Sequence, residues 1–366
     1  MAVPFRPDSI WEDQPEGKAD MMEETGTPLS SKKSRERPTM KDIADHVGMS
    51  RQLVSIVLRD AEGASEASRQ RVLDAARELG YYPDESARLL RQRRSGQLGV
   101  LFTMRQPFEV DLVDALYRQA ADFGYRLVLS TVGLGRSQDT ALDELMRQRI
   151  EALIVLTTES PDGIIHRLPS GIPIVLLGGP QAAGRHDEVH VENERGMELA
   201  VGHLVELGHR RITYIGPSVG PNAAERLAGY AASMRAQGLQ DLIDTIEADY
   251  TEDAGYAAAL HLLERDERPS ALVCANDRCA FGVMETLLRE GVSVPQDISI
   301  VGFDDSTVAR LPFIDLTSVR PNPELMARMG LEAAARRLAN ADDPEWYQSV
   351  PPTLAVRGSS SPPANR

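Results

Sequence analysis

Between Pro38 and Tyr82 apolar residues recur at helical spacing in three short runs. Ile43, Ala44 and Val47 share one face, and Thr39 followed three residues later by Asp42 is an acidic variant of the capping box that opens this helix. Gly48 breaks it. Ser50 caps a second run whose apolar face is Leu53, Val54, Val57 and Leu58. Ser65 opens a third, with Val72, Ala75, Ala76 and Leu79, and Gly80 stops it. Only Gly48 and Met49 separate the first two helices, which fits the sharp turn of a helix-turn-helix and not a long antiparallel hairpin.

From Gln97 the pattern changes to short apolar runs alternating with helical ones. The spacing predicts strands at 98–102, 126–130, 152–156 and 174–177. A second set falls at 212–215, 243–247, 271–274 and 298–301. Helices are expected at 110–123, 140–149, 196–207, 226–237, 252–264 and 280–290. This alternation predicts parallel sheets covered by helices, an α/β class. Two sets of four or more strands imply two similar lobes with a cleft between them. Ligands of open α/β sheets bind beyond the carboxyl ends of the strands.

Composition narrows the picture. The 366 residues allow two or three domains, and two Cys favour a reducing compartment, the cytoplasm. No stretch reaches the ~18–20 apolar residues of a membrane span. Residues 1–37 carry several Pro and Gly without periodicity and read as a disordered tail with no secretory signal. Residues 359–366 read as a loose end. The net charge of −15 argues against nucleic acid, but residues 37–95 hold 11 basic and 9 acidic side chains. Arg88, Arg91, Arg93 and Arg94 cluster at the end of that segment, as a solvated linker or as phosphate contacts. Arg51, Gln52 and Ser55 lie on the polar N-terminal face of the second helix, with the chemistry for base edges and phosphates. The same face also suits a helical bundle of no further function.

The order of motifs resembles the lactose-repressor (LacI/GalR) family over nearly all of the chain from Pro38 to about Gly358. Pro38 to Ala44, Gly48-Met49-Ser50, Val54-Ser55 and Val57-Leu58 resemble its DNA-binding head. Glu78 to Pro83 resembles the end of the third helix, and Ser86-Ala87-Arg88-Leu89-Leu90 the hinge. Further landmarks are His203 to Ile212, Arg226-Leu227-Ala228-Gly229-Tyr230, Ala275-Asn276-Asp277 and Val301-Gly302-Phe303-Asp304-Asp305. The resemblance implies a three-helix head (38–82), a hinge (83–96) and a two-lobed periplasmic-binding-protein-like domain (97–358). Lobe one would hold about 97–191 and 320–349, and lobe two about 192–317 and 350–358.

What the resemblance implies for function is a homodimeric transcriptional regulator, a repressor by its commoner mode, that binds a palindromic double-stranded DNA operator. Thr39, Ser50, Arg51, Gln52, Ser55, Ile56, Arg59 and Leu90 would face DNA. Leu90 matches a leucine that wedges into the minor groove and kinks the duplex. Ile56 stands where many members carry a guanine-reading Arg, and Leu53 where Thr is common. Ile56 offers only apolar contact, for example to a thymine methyl, so the operator should differ from the common one. Asn222, Arg226, Tyr250, Asn276 and Asp304 would bind a small effector in the cleft, a sugar ahead of a nucleobase or nucleoside. From lobe one, only Thr103 suggests itself, by its place after the first strand.

Absent motifs argue too. There is no G-x-G-x-x-G and no phosphate-binding Walker loop, so no cofactor is expected. His186 and His190 have helical spacing, but Glu188 is one place off the metalloprotease pattern and the segment reads as a loop, so no metal is assigned. No nucleophile stands at an elbow, and no catalytic residue is assigned. The competing class is a cytosolic binding protein or sugar enzyme whose small head mediates protein contacts. The arginine-rich hinge and the polar start of helix two favour DNA.

Overall fold

The computed structural model describes residues 38–59, 61–82, 94–133, 135–156, 161–169, 171–179, 184–220 and 222–364. The expected tail (1–37) and most of the hinge, including Leu90, lie outside them. The chain divides into two units, Met1–Arg88 and Leu89–Arg366.

In the first unit, α1 (Met40–Val47) begins at Thr39, whose backbone N–H donates to Asp42 Oδ2 at 2.7 Å. It ends at Gly48, φ 64°, a left-handed position that glycine occupies without strain. The second helix, α2 (Arg51–Leu58), is capped by Ser50, and the third, α3 (Glu66–Leu79), by Ser65. Ile43, Ala44, Val47, Val54, Val57, Val72, Ala75 and Ala76 close one small core. Arg71 reaches from α3 to the Val47 carbonyl at 2.8 Å and satisfies the end of α1.

The second unit holds two six-stranded sheets. Lobe one contains β1 (Gln97–Thr103), β2 (Arg126–Val132), β3 (Ala152–Leu156), β4 (Ile174–Leu177), β5 (Asp187–Val191) and β11 (Tyr347–Val350), ordered β11-β5-β4-β3-β1-β2. Lobe two contains β6 (Ile212–Gly216), β7 (Asp244–Glu247), β8 (Ala271–Cys274), β9 (Ser299–Phe303), β10 (Thr317–Arg320) and β12 (Thr353–Ala355), ordered β12-β10-β9-β8-β6-β7. All pairings are parallel except β10 with β12. The helices of this unit are α4 (Pro107–Ala120), α5 (Gln138–Arg147), α6 (Pro161–Arg167), α7 (Asn193–Glu206), α8 (Ala223–Ala236), α9 (Glu252–Leu263), α10 (Asp277–Arg289) and α11 (Pro323–Ala339). The chain passes between lobes after β5, after β10 and after β11. The α/β class is as expected, and most helices begin about three residues earlier than the apolar periodicity suggests, because their first turns are largely polar, charged or small (Asn193-Glu194-Arg195, Ala223-Ala224-Glu225, Asp277-Arg278) and add nothing to the apolar pattern.

Two expectations are corrected. The segment of His186 and His190 is not a loop: all of it but His186 belongs to β5 (Asp187–Val191). Asp187 is fully buried there because Arg337 Nε donates to it at 3.1 Å, Arg336 Nη2 at 3.1 Å and the Trp346 N–H at 2.8 Å. A charged residue that looks like loop composition is thus neutralised by partners some 150 residues away.

Nor is the segment after Gly358 loose. Ser359 is buried; its carbonyl accepts from the Ile300 N–H at 2.8 Å, and its hydroxyl donates to the Ile300 carbonyl at 2.6 Å and accepts from the Thr317 N–H at 2.8 Å. His203 Nε2 meets the Ser360 hydroxyl at 2.9 Å. His209 Nε2 lies 2.9 Å from the Ser361 carbonyl and its Nδ1 2.8 Å from the Ser270 hydroxyl. Burial holds both imidazoles below their ordinary pKa, in the neutral form that lets His209 donate from Nε2. Ser359→Ala removes a hydroxyl that serves two buried backbone groups and should lower stability by about 1–3 kcal/mol in urea unfolding. An unchanged midpoint and slope would show that the strap adds nothing.

Candidate functional site

In the first unit, α2 exposes Arg51 and Gln52, with Ser55 and Ile56 half-buried beside them. The Ser50 hydroxyl accepts from the Leu53 N–H at 3.2 Å, and Arg59 Nε donates to the Ser55 carbonyl at 3.0 Å, closing the other end of the helix. Thr39 is exposed and engaged in its capping box. Helices α1 and α3 carry Asp42 and Glu66 in their first turns, whereas α2 carries no acid there. Its positive end is therefore free of a competing carboxylate and suits an approaching phosphate.

In the second unit a cavity of about 580 Å³ opens between the lobes. Asn222, Arg226, Tyr250, Asn276 and Asp304, the five residues expected to bind effector, all line it, as does Thr103. Arg226, on α8, is almost fully buried. Its Nε donates to Asn193 Oδ1 at 2.9 Å and its Nη1 to the Ala275 carbonyl. Its guanidinium lies 3.7 Å from the centroid of the Phe303 ring and 3.6 Å from Asp304 Oδ1. Asp304 follows β9 with φ 111°, a conformation that a non-glycine residue adopts only when its surroundings impose it. Burial raises its pKa to about 8; Arg226 opposes the shift and Asp277 adds to it.

Asn276 caps α10 through Oδ1, which accepts from the Cys279 N–H at 2.9 Å. Its Nδ2 reaches the Tyr250 carbonyl at 3.1 Å and Gln106 Oε1, in lobe one, at 3.2 Å. Asn222 precedes α8 and donates across the cleft to the Gly178 carbonyl at 3.0 Å. Both amides are thus committed to holding the lobes together as well as facing the cavity.

Lobe one contributes residues that sequence reasoning missed: Arg105, Gln106, Phe108, Glu109 and Gln138. Glu109 is buried in the first turn of α4, where its Oε2 accepts the Thr103 N–H at 2.6 Å. Burial raises its pKa to about 8, Thr103 pulls it down and Asp304 raises it further. Its position just past the carboxyl end of β1 is the signal that could have found it. Arg278, also missed, forms a two-pronged pair with Glu252 and donates to the Arg105 carbonyl at 2.7 Å across the cleft. Beside the cavity, Thr307 donates to Asp111 Oδ1 at 3.0 Å, a further bond between lobes.

The cavity combines carboxyl acceptors, amide and guanidinium donors and the faces of Tyr250 and Phe108. That set matches a neutral polyhydroxylated ligand. Among the described residues no group of three His, Cys, Asp or Glu side chains is arranged to hold a metal ion. His186 and His190 each lie 3.6 Å from Glu188, outside the cavity. Among the described residues, no helix is long and apolar enough to cross a membrane.

Comparison with known proteins bears on both units. Residues 39–84 match the family described as bacterial regulatory proteins, lacI family, and residues 201–360 match the periplasmic binding protein-like domain. The ribose operon repressor of Escherichia coli K12 is 32% identical over 330 residues, covering 88% of this chain and 99% of that protein. The Lac repressor dimer bound to operator and an anti-inducer superposes with a TM-score of 0.72 at 26% identity, over 89% of this chain and 100% of that one. The regulator CelR in complex with cellobiose gives a TM-score of 0.64 at 29% identity, over 88% and 100%. With the head, both lobes and their order in common with these proteins, the chain belongs to the lacI family of bacterial regulatory proteins.

Proposed function

We propose that the protein is a homodimeric transcriptional repressor, and not an enzyme, that binds a palindromic operator in the cytoplasm and is controlled by a neutral sugar in the interlobe cavity. The observation that carries this reading is the convergence of Arg226, Asp304, Asn222 and Asn276 with lobe-one Glu109 and Gln106 around Tyr250. Those groups come from both lobes, so a ligand that engages them all fixes the angle between the lobes. A ligand shifts such an equilibrium only by its difference in affinity for the two arrangements. The ribose operon repressor and the CelR–cellobiose complex among the similar proteins support a sugar as the effector class.

On DNA, α2 enters the major groove, with Arg51 and Gln52 at base edges and Ser50, Thr39, Ser55 and Arg59 near the backbone. Ile56 supplies an apolar contact at the position that sets this operator apart. Leu90 is the minor-groove wedge at the centre of the palindrome. Selection of genomic fragments by the purified protein tests the whole reading. A short palindrome should be enriched; none with or without a metabolite extract would overturn it.

Arg51→Ala or Gln52→Ala should weaken binding to that palindrome by about 1–3 kcal/mol per lost base contact, with little change on random DNA. A titration with wild-type affinity would remove the residue from the readout. Asp304→Ala should leave a folded protein that binds operator and ignores sugar; calorimetry showing retained sugar affinity would refute its role.

Glu109 gives the ligand-free protein a pH dependence. Folded Glu109 keeps its proton to about pH 8, while an unfolded Glu releases it near 4.5. The folded state holds more protons in that window, so stability falls as pH rises through it. Glu109→Gln should flatten the thermal midpoint between pH 5 and pH 8, in proportion to Glu109's share beside Asp304. Parallel curves for the two proteins would contradict the buried proton.

A further inference from the structure

The junction between the DNA-facing segment and lobe one is built around Glu151. Glu151 immediately precedes β3, and its side chain is only 12% exposed. Oε1 accepts the Gly96 N–H at 2.8 Å and lies 3.4 Å from the Ser95 hydroxyl, while Oε2 lies 3.8 Å from Arg94 Nε. One carboxylate therefore gathers three consecutive residues. The other side of Gly96 is fixed too: its carbonyl accepts the Arg126 N–H at 2.9 Å, and its φ of 67° favours glycine.

Arg94 is held a second time. Its Nη2 donates to the Leu338 carbonyl at 2.6 Å, in the last turn of α11. There a guanidinium both satisfies an orphan carbonyl and faces the negative end of the helix dipole. The opposite end of α11 begins at Asn322-Pro323, next to Pro321, which lines the cavity. Seventeen residues at 1.5 Å each make a rod of about 25 Å. The rod packs closely on the sheet: a Cβ on Gly330 would come within 2.9 Å of the Leu177 side chain on β4. One end of this helix therefore meets the effector cavity and the other meets Arg94.

We infer that Glu151 is a positioning residue for operator binding: through Arg94, Ser95 and Gly96 it fixes the base of the hinge to lobe one and to α11, so that lobe position is passed to the DNA-facing segment. The inference rests on the proposed operator-binding function. A hinge with an ordered base loses less conformational freedom when it docks on its operator; unfastening it adds that loss to specific binding alone.

The test uses the full-length dimer and the palindromic duplex enriched by the wild type, at a temperature well below unfolding. Glu151→Ala should weaken palindrome binding at least about tenfold while binding to random-sequence duplex stays within about twofold. Arg94→Ala, a change at a side chain that is 64% exposed and thus harmless to folding, should act in the same direction. The double variant should be no worse than the stronger single one, because the two side chains act as a unit. Glu151→Gln keeps the acceptor for Gly96 and should recover part of the loss.

An unchanged ratio of palindrome to random binding in Arg94→Ala and Glu151→Gln would overturn the assignment, as would equal losses on both duplexes. If Glu151→Ala does not fold, Arg94→Ala and Glu151→Gln decide it. Failure of the wild type to enrich any palindrome would instead sink the operator-binding reading itself.

Discussion

A guanidinium removed from water has to be answered on every side, and in lobe two that requirement organises the cavity. Arg226 draws Asn193 from the start of α7, the Ala275 carbonyl from the end of β8, and Phe303 and Asp304 from the end of β9. Asn193 in turn donates to Asn222 and to Glu225 at the start of α8. Four elements are thereby brought to one point, and the backbone at Asp304 is held in a conformation it would not choose alone. Burying this ion pair is not a route to stability, since desolvation offsets much of the attraction. What it provides is a fixed array of donors and acceptors at the carboxyl ends of the strands, already oriented before a ligand arrives.

The contacts between lobes are of a different kind. Asn222 to Gly178, Asn276 to Gln106, Arg278 to Arg105 and Thr307 to Asp111 are single polar bonds, whereas away from the cavity one apolar cluster runs from Leu98 and Leu112 in lobe one to Val301 and Phe303 in lobe two. Each bond can be exchanged for water at small net cost, so the polar contacts around the cavity oppose a change of lobe angle only weakly. A rigid half-site in lobe two facing polar residues in lobe one is the arrangement that lets a small ligand select one lobe angle.

The sequence was most readable where structure is local. The head follows from caps three residues apart and from an apolar face of short period, and each signal lies within its own helix. The inner strands are legible because both faces are buried, which leaves uninterrupted apolar runs such as 152–156 and 174–177. Legibility failed where distant partners decide. Strand β5 carries Asp187 and Glu188, and nothing nearby announces that Arg336 and Arg337 will neutralise the first. The serine-rich end looks like coil because its partners are His203, His209 and Ile300. In the site, residues carried over from the family resemblance all reached the cavity, whereas Glu109, Arg278 and Gln138 belong to no motif and become visible only once the strands' carboxyl ends are assembled.

Both sheets take their final strand from the last part of the chain, β11 into lobe one and β12 into lobe two, and Ser359 then ties that end to β9 and β10. The head, by contrast, is complete within residues 39–81. During synthesis the two units therefore mature on different schedules. The head has all its contacts early, from pairs close in sequence, while each lobe waits for a strand made about 140 residues or more after its first one. A chain cut short before β11 would carry a complete three-helix head joined to two lobes that each lack an edge strand.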